Sequence, residues 1–334
     1  MRRIAIDAMG GEHAPEAIIE AVLQAKSQLP NTQFLLFGDE DKIKKLLSDN
    51  SNDKQIEVIA TSEVIQDEDE PVRAIRRKKD SSLVVAARYV KEGKADGLVS
   101  LGNTGALLAA GIFIVGRIKG VERPGLMPTL PVKNSDLGFN MIDVGANAQA
   151  KPEYILKWAE MANFYAEKVR GIKNPKIALL NNGAEYDKGD DIHKEAYQLL
   201  KESDLNFIGN IEGNELLDGK ADIVATDGFT GNAVLKNIEG TSSVIIHLIK
   251  DALVSGSLMT KLGALLIKGA LKGVAKKFDT AKYGGAVLLG LNAPVVKTHG
   301  RSDKRAIYYT LLQIDKMIEE DLIKLFVEDF SKQD

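Results

Sequence analysis

Apolar residues near the start of the chain come in short blocks separated by stretches of helical period. Arg3 to Asp7 is a β-like run, followed by the turn Ala8 to Ala14 and by Pro15, a residue suited to a first helical position. Ile18, Ile19, Val22 and Leu23 then recur three and four residues apart, as one face of a helix requires. Gln33 to Phe37 and Gln55 to Ala60 read as two more strands, with a charged helix from Asp41 to Leu47 between them. Strands alternating with helices predict a mostly parallel sheet covered on both sides, a three-layer α/β/α fold.

The rhythm breaks at Ile65 to Lys79, where the acidic run Asp67 to Glu70 meets Pro71 and the basic run Arg73 to Lys79. It resumes with a helix over 81–92, the strand of the segment Asp96 to Ala109, and a helix Gly105 to Ile118 that is apolar on all sides and belongs inside the fold. Between Arg123 and Asn147 the prolines Pro124, Pro128 and Pro131 of RPGLMPTLP argue against a central strand there and for an edge ribbon or irregular segment, followed by a turn around Asn134 to Gly138 and the strand FNMIDVGAN. Beyond it the pattern predicts a helix Pro152 to Lys168, a strand Lys176 to Asn181, a helix Ile192 to Glu202 and a strand Asn206 to Ile211. Ser243 to Lys277 reads as helix interrupted at Gly256, Gly263, Gly269 and Gly273. Two strands, Ala286 to Leu291 and Val295 to Thr298, precede an amphipathic last helix, Lys304 to Phe326. No repeat or linker divides residues 1–334, so one continuous unit with two lobes around a central cleft is expected.

One pattern occurs twice. Asp222 to Lys236 (DIVATDGFTGNAVLK) is a short buried strand, a loop of Gly, Thr and Asn, and a helix start; Asp96 to Ala109 (DGLVSLGNTGALLA) repeats it, pairing Gly102 with Gly228, Thr104 with Thr230 and Gly105 with Gly231. Loops of this kind turn backbone N–H groups and small hydroxyls toward an anion at a helix N-terminus, and phosphate is the natural guest. Polar loops also follow the strands at Asp7 to His13, Asp143 to Asn147 and Asn181 to Lys188. Ligands of open α/β sheets bind beyond the carboxyl ends of strands, so the five loops point to a single polar site.

Bulk properties narrow the chemistry. A net charge of −3 supplies no general field for nucleic acid. Without cysteine there is no thiolate nucleophile, and the four histidines, His13, His193, His247 and His299, are too scattered to predict a metal site. Asp7 interrupts any signal-peptide core, and the longest apolar run, Ala106 to Gly116, falls short of the ~20 residues of a membrane span, which predicts a cytoplasmic protein. Dinucleotide, P-loop and nucleophile-elbow motifs are all missing.

The segments IAIDAMGGEHAP, VRAIRRKKDSS, SLGNTGALLA, RPGLMPTLP, IDVGANA, NFIGNIEGNELLDGKADIVATDGFTGNAVLK and YGGAVLLGLNAPVVKTHG, with the stretch from LLN to KGD, cover nearly the whole chain. They resemble the phosphate acyltransferases of bacterial fatty acid and phospholipid synthesis. That resemblance implies a fold like the phosphotransacetylases and isopropylmalate dehydrogenases, a homodimer, no cofactor, and transfer of an acyl group from acyl carrier protein to inorganic phosphate. Asp190 stands where such sequences carry Asn.

With the chemistry of the reaction, the resemblance assigns Lys188 and Asn232 as catalytic, the first supplying charge to phosphate and the second an amide donor. Gly102, Asn103, Thr104, Asn181, Asp227, Gly228 and Thr230 form the phosphate cradle in this reading. Asp7, His13, Asp143 and Asn147 support its loops, the acids orienting donors since they would repel phosphate.

Two surfaces have alternative readings. Arg73, Arg76, Arg77, Lys78 and Lys79 suit docking of the acidic carrier protein, or form a solvated turn beside Asp67 to Glu70. From 252 to 278 five lysines and no acidic residue accompany an apolar face holding Leu258, Leu262, Leu265 and Leu266, with a second piece after Gly269. Such an amphipathic hairpin can lie on an anionic membrane and hand acyl phosphate to a membrane glycerol-3-phosphate acyltransferase, or pack in the core or dimer. Two rival functions share these features: a short-chain phosphate acetyl- or butyryltransferase using coenzyme A, and a non-catalytic scaffold for lipid enzymes.

Overall fold

The computed structural model describes residues 1–330. In chain order the first half holds β1 (Arg2–Asp7), α1 (Glu16–Ala25), β2 (Thr32–Gly38), α2 (Glu40–Leu47), β3 (Ile56–Ala60), α3 (Pro71–Arg77), α4 (Ser82–Lys91), β4 (Gly97–Ser100), α5 (Thr104–Ala110), β5 (Gly125–Met127), β6 (Thr129–Val132), β7 (Ser135–Ile142) and α6 (Pro152–Lys168). The second half holds β8 (Ile177–Asn181), α7 (Asp191–Glu202), β9 (Phe207–Glu212), β10 (Ile223–Ala225), α8 (Gly228–Ser255), α9 (Leu258–Lys277), β11 (Ala286–Leu289), β12 (Val295–Lys297), α10 (Lys304–Glu319) and α11 (Leu322–Phe330).

These strands form two sheets, a seven-stranded one in the order β3-β2-β1-β4-β12-β11-β5 and a five-stranded one in the order β6-β7-β10-β8-β9. Pairing is parallel except where β11 meets β5 and β12, and β6 meets β7. The strands β5 and β6, flanked or interrupted by Pro124, Pro128 and Pro131, close one end of each sheet, where a missing N–H costs no ladder bond.

Side chains alternate across a strand, and here both faces are buried. Ile4 and Ile6 of β1 join one apolar cluster with Ile177, Leu179, Ile223 and Trp158; the intervening Ala5 joins a second with Ala178, Leu180 and Val224. Each cluster spans both sheets, giving a three-layer α/β/α fold. The sheets meet where Val144 donates its N–H to Leu126 O (3.0 Å) and Leu126 returns its own to the Asp143 carboxylate (2.9 Å).

Several helix limits differ from the pattern reading. The chain turns at Gly256–Ser257 alone; Gly263, Gly269 and Gly273 stay inside α9, with open space where a Cβ would sit. The hairpin therefore consists of the 28-residue α8, which starts at Gly228, and the 20-residue α9. Glycine alone does not stop a helix; Gly256 does so because Ser257 follows, its hydroxyl capping α9 by accepting the Thr260 N–H (3.3 Å). The last helix is likewise two, parted at Asp321, whose φ of 48° lies in the left-handed region.

Candidate active site

At the end of β1 the Asp7 carboxylate is buried and accepts from Ser82 Oγ (2.6 Å), Ser100 Oγ (2.7 Å) and the Met9 N–H (3.3 Å). Burial pushes its pKa above the ordinary carboxylate value, and these donors pull it back. Ser100 Oγ also accepts the Gly102 N–H (3.1 Å), so this cradle amide is already used within its own loop. Asn103 is used at both ends as well. Its Oδ1 caps α5 by accepting from Ala106 N–H (3.0 Å), and its Nδ2 reaches the carbonyls of Gln66, Asp67 and Asp69 at 3.0–3.3 Å. Asn103 thus ties the acidic turn to α5 instead of presenting a donor to phosphate. Lys78, expected among the docking residues, instead fixes the same turn, donating to Asp69 (2.5 Å) and Val64 O (2.9 Å); Arg73, Arg76, Arg77 and Lys79 are exposed. His13 is exposed on the first loop.

At the end of β7 the Asp143 carboxylate accepts from the N–H groups of Leu126, Gly145, Ala146 and Asn147 and from Asn147 Nδ2, all within 2.8–3.2 Å. Asn147 also donates to Pro124 O (2.8 Å). Helix α8 starts directly on this loop. A Cβ at Gly228 would lie 2.2 Å from Asn147 O and one at Gly231 2.0 Å from Asp143 O, so only glycine admits the helix here. Asp227 caps the helix by accepting the Thr230 N–H (2.9 Å), and Asn232, one turn in, packs on Gly145.

A cavity of about 190 Å³ lies between these two loop systems, lined by Thr104, Gly105, Leu126, Gly145, Ala146 and Lys297 among others. It shares Thr104, Leu126 and Lys297 with a larger cleft of about 450 Å³ that also contains Lys236, His299 and Arg301. Lys297 is buried at the end of β12, its ammonium donating to Leu101 O (3.1 Å) and Thr298 O (2.5 Å). Burial pulls its pKa down to about 8, against the attraction of Asp67 and Asp7. His299 is lowered too, chiefly by burial. The pattern reading passed over Lys297; the available signal was a lysine closing the apolar run Val295–Val296 at a carboxyl strand end.

Lys188 lines neither cavity. It is exposed in the loop after β8, its ammonium 4.0 Å from Glu185, while Asn181 holds that loop by donating to Lys188 O (3.1 Å) and Asn210 Oδ1 (3.2 Å). The loop adjoins α8 through His193, whose Nδ1 lies 2.6 Å from Asp190 and whose Nε2 lies 3.5 Å from Asp227. Asp190 caps α7 by accepting the His193 N–H (2.9 Å), so its charge is engaged there. Among the described residues no cluster of His, Asp and Glu is arranged for a metal ion, and no helix is long and apolar enough to cross a membrane.

Helices on both faces of mostly parallel sheets, with a cavity between glycine-rich strand-end loops, define the phosphotransacetylase class of fold. A phosphotransacetylase from Streptococcus pyogenes superposes with a TM-score of 0.60 at 18% identity, covering 96% of this chain and 94% of its own. A branched-chain phosphotransacylase from Enterococcus faecalis V583 gives 0.58 at 15% identity, covering 95% and 99%. In sequence, a family model described as fatty acid synthesis protein matches residues 2–325. The "Phosphate acyltransferase" of Lactobacillus acidophilus is 72% identical over 100% of both chains, and that of Ligilactobacillus salivarius 54% identical over 99% of each. The chain belongs to this fatty acid synthesis family of phosphate acyltransferases and is an acyl-transferring enzyme.

Proposed function

We propose that the enzyme moves a long-chain acyl group from acyl carrier protein to inorganic phosphate, releasing acyl phosphate for phospholipid synthesis. The observation that carries this reading is the 190 Å³ cavity, lined by Thr104, Gly145 and Lys297 with Asn232 adjoining Gly145, while Asp7 and Asp143 spend their charge on loop hydroxyls and N–H groups. Thr104 and Lys297 bring donor groups to its wall, and the nearby acids are occupied.

The chemistry asks little of the protein. An oxygen of hydrogen phosphate attacks the thioester carbonyl, the C–S bond breaks, and the phosphate proton ends on the departing thiolate, whose conjugate thiol has a pKa of ~8.5. The products are acyl phosphate and the free carrier thiol. What the site supplies is position, charge stabilisation and exclusion of water. Asn232 donates to the oxyanion, Lys188 approaches the phosphate from its loop, and Thr104 and Thr230 add hydroxyls. Arg73, Arg76, Arg77 and Lys79 receive the carrier protein. The protein works as a cytoplasmic homodimer, and its hairpin touches the membrane through Leu258, Leu262, Leu265 and Leu266, passing product to a membrane glycerol-3-phosphate acyltransferase.

Trapping acyl phosphate with hydroxylamine tests this directly. Turnover with long-chain acyl-(acyl carrier protein) and phosphate, and little with acetyl-coenzyme A, is the expected result. Activity confined to acetyl-coenzyme A would replace it with the short-chain reading, and silence with both donors, while carrier-protein binding persists, with the scaffold.

A further inference from the structure

An ammonium group has three N–H donors. Lys297 commits two of them to Leu101 O and Thr298 O, which fixes the direction of the third. Its side chain lines both the small cavity and the larger cleft. Lysine is rarely this buried unless paired, and here it is 9% exposed and forms no ion pair among the described residues. The charged groups that act on it are Asp7 from β1 and Asp67 from the acidic turn, which favour the cation, and Lys236 from α8, which opposes it. None of these provides a carboxylate contact. A staple between β12 and the end of β4 would need the two carbonyls only, and would gain nothing from standing in the wall of a cavity that Thr104 and Gly145 also line.

We propose that Lys297 is a phosphate-binding residue of this enzyme, its third N–H donating to the phosphate held in the small cavity. The two backbone carbonyls preorganise the ammonium, so the anion binds without having to order a flexible lysine. On this assignment Lys297 holds the phosphate through the transfer, and Asn232 is left for the thioester oxygen.

This assignment rests on the acyltransfer reading, and phosphate binding is measured separately so that the two fail separately. Thermal unfolding is followed in rising inorganic phosphate for wild type and Lys297→Met, which keeps the length of the side chain and drops its charge. The wild-type midpoint rises, and the variant needs about tenfold more phosphate or higher for the same rise. In turnover assays the variant's KM for phosphate rises about tenfold or more, the loss of one charge-assisted hydrogen bond, while its KM for the acyl donor stays within about twofold. A lysine serving only as a staple would shift both or neither.

A second measurement needs no variant. Amine acetylation of the wild-type protein, read by mass spectrometry, should slow at Lys297 when phosphate is present. Labelling of Lys297 that ignores phosphate, or a Lys297→Met enzyme with an unchanged phosphate KM, overturns the proposal. If wild type makes no acyl phosphate from any donor yet phosphate protects Lys297, the acyltransfer reading falls and the phosphate site stands.

Discussion

If the proposed mechanism holds, Asn232 is the residue whose removal separates chemistry from folding. It is exposed and lies against Gly145, so in the proposed mechanism Asn232→Ala should leave the melting temperature unchanged while kcat falls about 10²-fold, the usual cost of an oxyanion donor. Gly231 behaves oppositely. A methyl group there meets Asp143 O at 2.0 Å, and backbone cannot step aside as a side chain can. Gly231→Ala should destabilise the protein by about 3 kcal/mol in chemical denaturation, the upper range for overpacking, with activity lost through the displaced helix. Lys297 gives a pH signature. Its pKa falls from 10.5 to about 8 in the fold, so the folded protein sheds that proton first and gains stability as pH rises from about 8 toward 10.5. Lys297→Met lacks this gain, and its stability relative to wild type should be most favourable near pH 7 and shrink by pH 10. A difference independent of pH would contradict the buried charge.

The positions of the acids at strand ends were legible, because Asp and Asn beside glycine after an apolar block mark a turn wherever they occur. Their bonds were not. Asn103 reads from sequence as a donor like any other Asn; that the turn at 66–69 consumes its amide follows from a fold in which that turn crosses the start of α5.

Among the elements the hairpin stands apart. No residue of α9 is buried, and Leu258, Leu262, Leu265 and Leu266 are 54–87% exposed. Between the two helices runs an apolar groove of about 710 Å³ lined by Ile246, Ile249, Leu253, Leu265 and Leu271 among others. Replacing Leu258 and Leu262 with glutamate should therefore leave folding intact while abolishing sedimentation with anionic liposomes; undiminished binding by the folded variant would remove the membrane role. The helical period and lysine bias of this region were evident in the sequence. The site of its turn was not, since four glycines offered equal breaks and the capping of Ser257 chose among them.

At the scale of the molecule, exposed apolar surface of this extent favours a partner. Light scattering after gel filtration should give twice the chain mass of 36.3 kDa, and a monomer that retains full activity would refute the dimer. Local pattern sufficed for the α/β class, for the strand-end loops and for the edge position of the proline ribbon, because periodicity and turn chemistry act over a few residues. The order of strands, the division into two sheets and the cavity between them depend on contacts across hundreds of positions. Lys297 bonds to Leu101, 196 residues away, and Asp143 takes the Leu126 N–H between two sheets. A lysine's environment is set by what burial brings to it, so its charge, its fixed N–H and its place in the cavity wall belong to the tertiary structure alone.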